Sequence, residues 1–233
     1  MNIGIIGSGQ VAQTLGDKLL DLGHRVTIST RDATVAKDRG DWGVIPSANE
    51  WVAGQHGKGH GDAAAGSFAI AAAFGDLLIN ATAGVASLEA LGAAERSDIE
   101  GKILVDLSNP LDFSQGMPPS LAFCNTESLG ERIQAAYPAA KVVKALNTIS
   151  VAVMVAPQDL PEETDLFIAG NDAEAKKWVT DELLKSWLGW KRVHDLGDIS
   201  NARGTEMYLP LWVRLWGATG TGVMNIRVVA AAS

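Results

Sequence analysis

Apolar positions along the chain follow two rhythms. Runs at 2–6 (NIGII), 25–30 (RVTIST), 76–82 (DLLINAT), 102–108 (KILVDLS), 141–147 (KVVKALN) and 165–170 (DLFIAG) are rich in Ile, Val and Leu. Near-continuous runs of this kind suit strands buried on both faces, as in a parallel sheet. Between them, apolar residues recur at helical spacing. Val11, Ala12, Leu15, Leu19 and Leu22 are one such set, and Gly23 stands where that helix should end. A brief strand near Ser67–Ala69 precedes a short alanine-rich helix. Further helices are expected near Ser87–Glu95 and Thr126–Tyr137, with a long amphipathic one from Asp172 to Leu188 and a last strand-like stretch at 191–196. Strand and helix alternating with short turns predict an α/β fold with a doubly wound parallel sheet.

Two segments break the alternation. Residues 53–66 (AGQHGKGHGDAAAG) read as a mobile loop rich in glycine, alanine and histidine. Residues 201–217 read as one C-terminal helix carrying Tyr208, Leu211, Trp212, Leu215 and Trp216 along a stripe. That stripe is either core or a dimer contact, or else a roof offering an aromatic surface to a flat ring; a homodimer is expected on either reading.

The chemistry starts at Gly7-x-Gly9-x-x-Ala12, which lies between the first strand and the first helix. The first glycine permits a tight turn, the second lets backbone approach a pyrophosphate, and the small residue lets helix and strand pack closely. The free N–H groups of the helix start face the phosphates. This is the pattern of a Rossmann-type dinucleotide site. It divides the chain into a dinucleotide-binding domain at 1–150 and a small C-terminal helical/αβ portion at 151–233. The second part is expected to complete the sheet and close a substrate cleft.

At the end of the second strand, where NAD enzymes carry an acidic residue for the ribose, the chain has Ser29-Thr30-Arg31. Hydroxyls and a guanidinium suit the 2′-phosphate of NADP, although Asp32 follows directly. Ligands of parallel sheets lie beyond the carboxyl ends of the strands. That rule nominates Thr82-Ala83-Gly84, Ser108-Asn109-Pro110 and Asn147-Thr148-Ile149, groups that can hydrogen-bond ribose and nicotinamide without crowding them. For each triplet, a polar residue closing a turn is the plainer alternative.

No acid–base set stands out. His24 and His194 read as local structure, Cys124 as an inert thiol, and His56 with His60 lack the partners of a metal site. Hydride transfer between two redox cofactors needs positioning alone, and it suits a chain without a proton-handling pair.

Bulk properties narrow the setting. The formal net charge of -8 argues against nucleic-acid or anionic-membrane partners. A single cysteine fits a reducing compartment, and no apolar run reaches the roughly 18 residues of a membrane span. The opening MNIGIIG lacks the features of a signal peptide, so the expectation is a soluble cytoplasmic protein.

The segments MNIGIIGSGQVAQTL, LGHRVTISTRD, KVVKALNTIS and ISNARGTEMYLPLWVRLWG resemble, in order, the F420-dependent NADP oxidoreductases, with the cytosolic domains of STEAP metalloreductases as more distant relatives. The resemblance implies NADP as cofactor and coenzyme F420, a deazaflavin, as co-substrate. By matching positions, Ser8, Gly9, Gln10 and Val11 would wrap the pyrophosphate, and Thr30 and Arg31 would hold the 2′-phosphate. Ala83, Asn109 and Pro110 would line the nicotinamide end, with Asn147, Thr148 and Ile149 at the reacting faces. Two other functions stay open from the residues. One is an NADPH-dependent reductase of a flavin, quinone or small carbonyl or imine compound; the other is a non-catalytic NADP sensor.

Overall fold

The first βα unit forms as its pattern requires. Strand β1 (Asn2–Ile6) buries its isoleucines, and helix α1 (Gln10–Asp21) lays Ala12, Leu15 and Leu19 against the sheet. At its end Gly23 adopts φ +82, and the N–H groups of Gly23 and His24 bond back to the carbonyls of Leu20 and Leu19. These elements belong to a computed structural model that describes residues 1–38 and 43–231.

The remaining strands are β2 (Arg25–Ser29), β3 (Lys37–Asp38), β4 (Val44–Ile45), β5 (Ala63–Gly66), β6 (Leu77–Asn80), β7 (Ile103–Asp106), β8 (Leu111–Asp112), β9 (Ser120–Leu121), β10 (Lys141–Lys144), β11 (Asp165–Gly170) and β12 (Arg192–Asp195). Eight of them make the central sheet in the order β12-β11-β10-β7-β6-β1-β2-β5, while β3-β4 and β8-β9 are small separate hairpins. The architecture is the expected doubly wound α/β sheet, mostly parallel. Within it β11 runs antiparallel to β10, Val143 facing Gly170 and Lys144 facing Ala169. The chain turns back at the end where β10 finishes, which antiparallel pairing permits without a crossover helix. Strands β11 and β12 thereby extend the same sheet.

Helices cover both faces. Helices α1, α2 (Ala48–Gly57), α6 (Val151–Val155) and α7 (Ala173–Trp178, continued by π-helical turns to Trp187) build one core. Helices α3 (Phe68–Phe74), α4 (Ser87–Gly92), α5 (Leu129–Ala136) and α8 (Ala202–Met207) build the other. Among the described residues no helix is long and apolar enough to cross a membrane.

The segment read as a mobile loop at 53–66 is corrected: residues 53–57 finish α2, and 63–66 are strand β5, parallel to β2. The supposed strand near Ser67–Ala69 accordingly lies one step earlier, and Ser67 instead caps α3. Helix α2 is held mostly by residues before that segment. Ser47 and Glu50 form a reciprocal capping box, and Asp17 of α1 accepts hydrogen bonds from the Trp51 indole (2.6 Å) and the Gln55 amide (2.8 Å). Ser47→Ala should therefore lower stability by about 1 kcal/mol, read as a shifted urea midpoint at constant slope.

The single helix expected over 201–217 is two. Pro210 cannot donate a backbone hydrogen bond, and the chain breaks at Tyr208 between α8 and α9 (Leu209–Thr219). The aromatic stripe is only partly buried: Tyr208, Trp212 and Trp216 are half-buried. Leu209 and Val213 are the buried residues of α9, whereas Leu211 is 54% exposed.

Candidate nucleotide cleft

Between β1 and α1 the backbone is shaped by two glycines with different demands. Gly7 has φ +130, and a Cβ there would lie 2.6 Å from the Ala81 carbonyl oxygen, so the turn itself requires glycine. Gly9 is ordinary extended backbone, at φ -76 and ψ -175, and a Cβ on it would meet nothing within 4 Å. Packing gives no reason for glycine at position 9. The open space in front of it does, if a ligand's phosphates occupy that space.

The start of α1 carries positive potential and no competing carboxylate. No side chain caps it and its first turn holds no acidic residue; the first helical bond shown here is Gln13 N–H to the Gly9 carbonyl. The amides before it remain as donors at the positive end of the helix. Gln13, which sequence reasoning missed, fixes the surroundings from behind, its amide donating to the carbonyls of Ser8 (3.1 Å) and Pro46 (2.7 Å). Ser29 is fully buried and ties β2 to the turn. Its hydroxyl donates to the Ile5 carbonyl and accepts from the Gly7 N–H.

In front of this turn lies a cleft of about 570 Å³. It brings together Gly7, Ser8, Gly9, Gln10, Val11, Thr30, Arg31, Thr82 and Ala83. Arg31 reaches from the end of β2 with its guanidinium 3.6 Å from Glu89 of α4, and both side chains are largely in solvent. An exposed pair at that distance contributes little and leaves the guanidinium free to move onto a phosphate. Lys37 of β3 adds a second cation to the lining. It was not foreseen, because a two-residue strand in a polar stretch carries no periodic signal. Asp32 does not line the cleft. Its carboxylate accepts the hydroxyl (2.6 Å) and N–H (2.9 Å) of Thr34, and these bonds hold its pKa below the usual carboxylate range.

The strand tips beyond β7 and β10 are arranged differently. Ser108 and Asn109 line a neighbouring hollow of about 350 Å³ that shares Thr82, Ala83 and Gly84 with the tip of β6. A Cβ on Gly84 would lie 2.0 Å from the Asn109 carbonyl oxygen, so glycine lets the two tips touch. Pro110, Asn147, Thr148 and Ile149 are buried and line neither space. Asn109 and Asn147 hold each other. The Asn109 amide donates to the Asn147 backbone carbonyl (2.8 Å), and the Asn147 amide donates to Asn109 Oδ1 (2.9 Å). Leu146, just before, takes φ +62, a costly conformation for leucine that sets the direction of Asn147. Asn147 Oδ1 and Thr148 Oγ1 are buried without a hydrogen-bond partner, which is uncommon for native polar atoms.

No histidine reaches these spaces. His24 packs on Trp187 at the far end of α1, and burial, then the nearby N-terminal charge, lowers its pKa. His56 contacts the Ala63 carbonyl and His60 pairs with Asp21, so the two serve separate local contacts.

Residues 2–110 match the family model described as NADP oxidoreductase, coenzyme F420-dependent. A crystal structure of a candidate F420-dependent NADP reductase from Arthrobacter sp. FB24 shares 47% identity and superimposes with a TM-score of 0.88, covering 99% of this chain and 100% of that one. The chain belongs to the F420-dependent NADP oxidoreductase family. The F420-dependent NADP reductase of Methanocaldococcus jannaschii is 33% identical over 132 residues, 55% of this chain and 58% of that protein. Rat metalloreductase STEAP3 is 26% identical over 215 residues, 90% of this chain and 37% of that protein. The chain thus spans less than two thirds of the length of each of these two relatives. Among the family segments, SNAR-x-x-E acquires a structural meaning. Arg203 forms a two-pronged ion pair with Glu131 of α5 (2.8 and 2.5 Å), and Glu206 enters the core beneath the strand tips.

Proposed function

We propose that this chain is a cytoplasmic oxidoreductase that moves a hydride between NADP(H) and coenzyme F420. The open cradle at Gly9, at the uncapped start of α1 and flanked by Arg31 and Lys37, carries the nucleotide part of this reading. Gly7, Ser8, Gly9, Gln10 and Val11 would receive the pyrophosphate on backbone amides. Thr30, Arg31 and Lys37 would hold the 2′-phosphate by charge-assisted hydrogen bonds. Thr82, Ala83, Ser108 and Asn109 would border the nicotinamide, with Pro110, Asn147 and Thr148 packed behind them and Asn147 holding Asn109 in place.

The two cofactors supply the redox chemistry; the chain supplies position and excludes water. The family supports the deazaflavin as second partner. Residues 151–233 would close the redox end, since the chain at Gly222 packs near both Trp212 of α9 and Ser150. Leu211 and Val223, each at least half exposed, support a homodimer through this region.

The test is a parallel assay of NADPH with F420 and with FMN. Loss of deazaflavin absorbance with FMN unchanged is expected. Bleaching of FMN alone would replace the proposal with a flavin reductase, and NADPH binding with neither acceptor reduced would replace it with a sensor. Cofactor choice has its own test. Arg31→Ala should weaken NADPH by about 1.5–3 kcal/mol, roughly tenfold or more, and NADH hardly at all. Equal losses in titrations of both would show that Arg31 does not read the phosphate.

A further inference from the structure

Beneath the strand tips lies a fully buried lysine, and the proposed chemistry does not use it. Lys144, the last residue of β10, donates to Asp106 Oδ2 (2.9 Å), to Glu206 Oε1 (2.8 Å) and to the Ser108 backbone carbonyl. All three ammonium hydrogens thus have acceptors. Asp106 accepts further from the Asn80 amide (2.9 Å) and the Ser108 N–H (3.1 Å). Glu206 accepts from the N–H groups of Leu129 and Gly130 at the start of α5. Burial alone would depress the lysine, but the charges of the two carboxylates and their hydrogen bonds outweigh it and raise its pKa. The group is therefore an ammonium.

The network touches one half of the cleft only. Asn80 also holds Thr82 through the Thr82 hydroxyl (2.9 Å), and Ser108 leads directly into the Asn109–Asn147 pair. The tips of β6, β7 and β10 are thereby tied to one cation. The turn at Gly7–Val11, Thr30 and Arg31 have no member in it. Glu206 is the single contribution of α8.

We infer that Lys144 is a positioning residue for the redox end of the cleft, and that through Glu206 the docking of α8 sets the Asn109–Asn147 pair. This rests on the nucleotide reading above.

The test compares two ligands, NADPH and 2′,5′-ADP, which carries the adenosine and 2′-phosphate but no nicotinamide. Glu206→Gln is the mild variant, and Lys144→Met/Glu206→Gln removes two charges together; circular dichroism establishes that each is folded. In both, 2′,5′-ADP affinity should stay within about twofold of the unsubstituted protein, while NADPH affinity or the hydride-transfer rate falls tenfold or more. Equal losses for both ligands, or unchanged affinities together with an unchanged hydride-transfer rate, in folded protein would overturn the inference. Failure of the unsubstituted protein to bind 2′,5′-ADP would instead overturn the nucleotide reading, and the inference with it.

Discussion

Gly9→Val is expected to fold normally and to lose both NADPH and NADH, by at least about 100-fold each, or about 2.7 kcal/mol. Position 9 is extended backbone that any residue adopts, and a Cβ there touches nothing, so the fold has no objection to valine. The isopropyl group would stand where the pyrophosphate must approach α1, and both dinucleotides share that group. Gly7→Ala makes the contrast. Its φ of +130 and the 2.6 Å approach to the Ala81 carbonyl oxygen mean that the fold suffers first. Calorimetry with isothermal titration separates the two cases. Unchanged affinity in folded Gly9→Val would remove the turn from the site.

The second large effect is on stability. Lys144→Met leaves Asp106 and Glu206 as buried carboxylates facing each other's charge without their shared cation. Breaking a buried pair by removing one partner costs about 3–5 kcal/mol, because the remaining charge is uncompensated. For a chain of this length that corresponds to a melting temperature lower by roughly 6–20 °C. Adding Glu206→Gln should recover part of the loss, with a coupling of at least about 1 kcal/mol between the two positions. A fall of less than about 2 °C for Lys144→Met, or strictly additive effects, would show that the three groups do not share a charge network.

How much of the site was legible depended on how local its causes were. The turn at Gly7–Gly9 was readable because its strand, glycines and helix lie within about twenty residues, and each has its own pattern. The same holds for Thr30 and Arg31, which follow β2 directly. Asn109 and Asn147 were nominated by the rule that strand tips face ligands. Their mutual hydrogen bonds, and the strained Leu146 that aims one of them, follow only from β7 and β10 being neighbours. Part of what was misread was also local. Ser47 and Glu50 spell a capping box, and Pro210 sits in mid-pattern; each is a local signal that outweighs composition or an apolar stripe.

Read alone, the order of residues determined the alternating α/β plan, the glycine turn between β1 and α1 and the hydroxyl-and-guanidinium end of β2, since each arises from a short run whose periodicity or backbone freedom acts on its neighbours. Tertiary structure alone decided the reversal of β11, the place of Lys37 beside the cleft, the partnership of Asp17 with Trp51, and the meeting of Lys144 with Glu206. Those depend on which distant segments pack together. A buried charge or a short hairpin leaves no repeating trace in the chain from which its partner could be read.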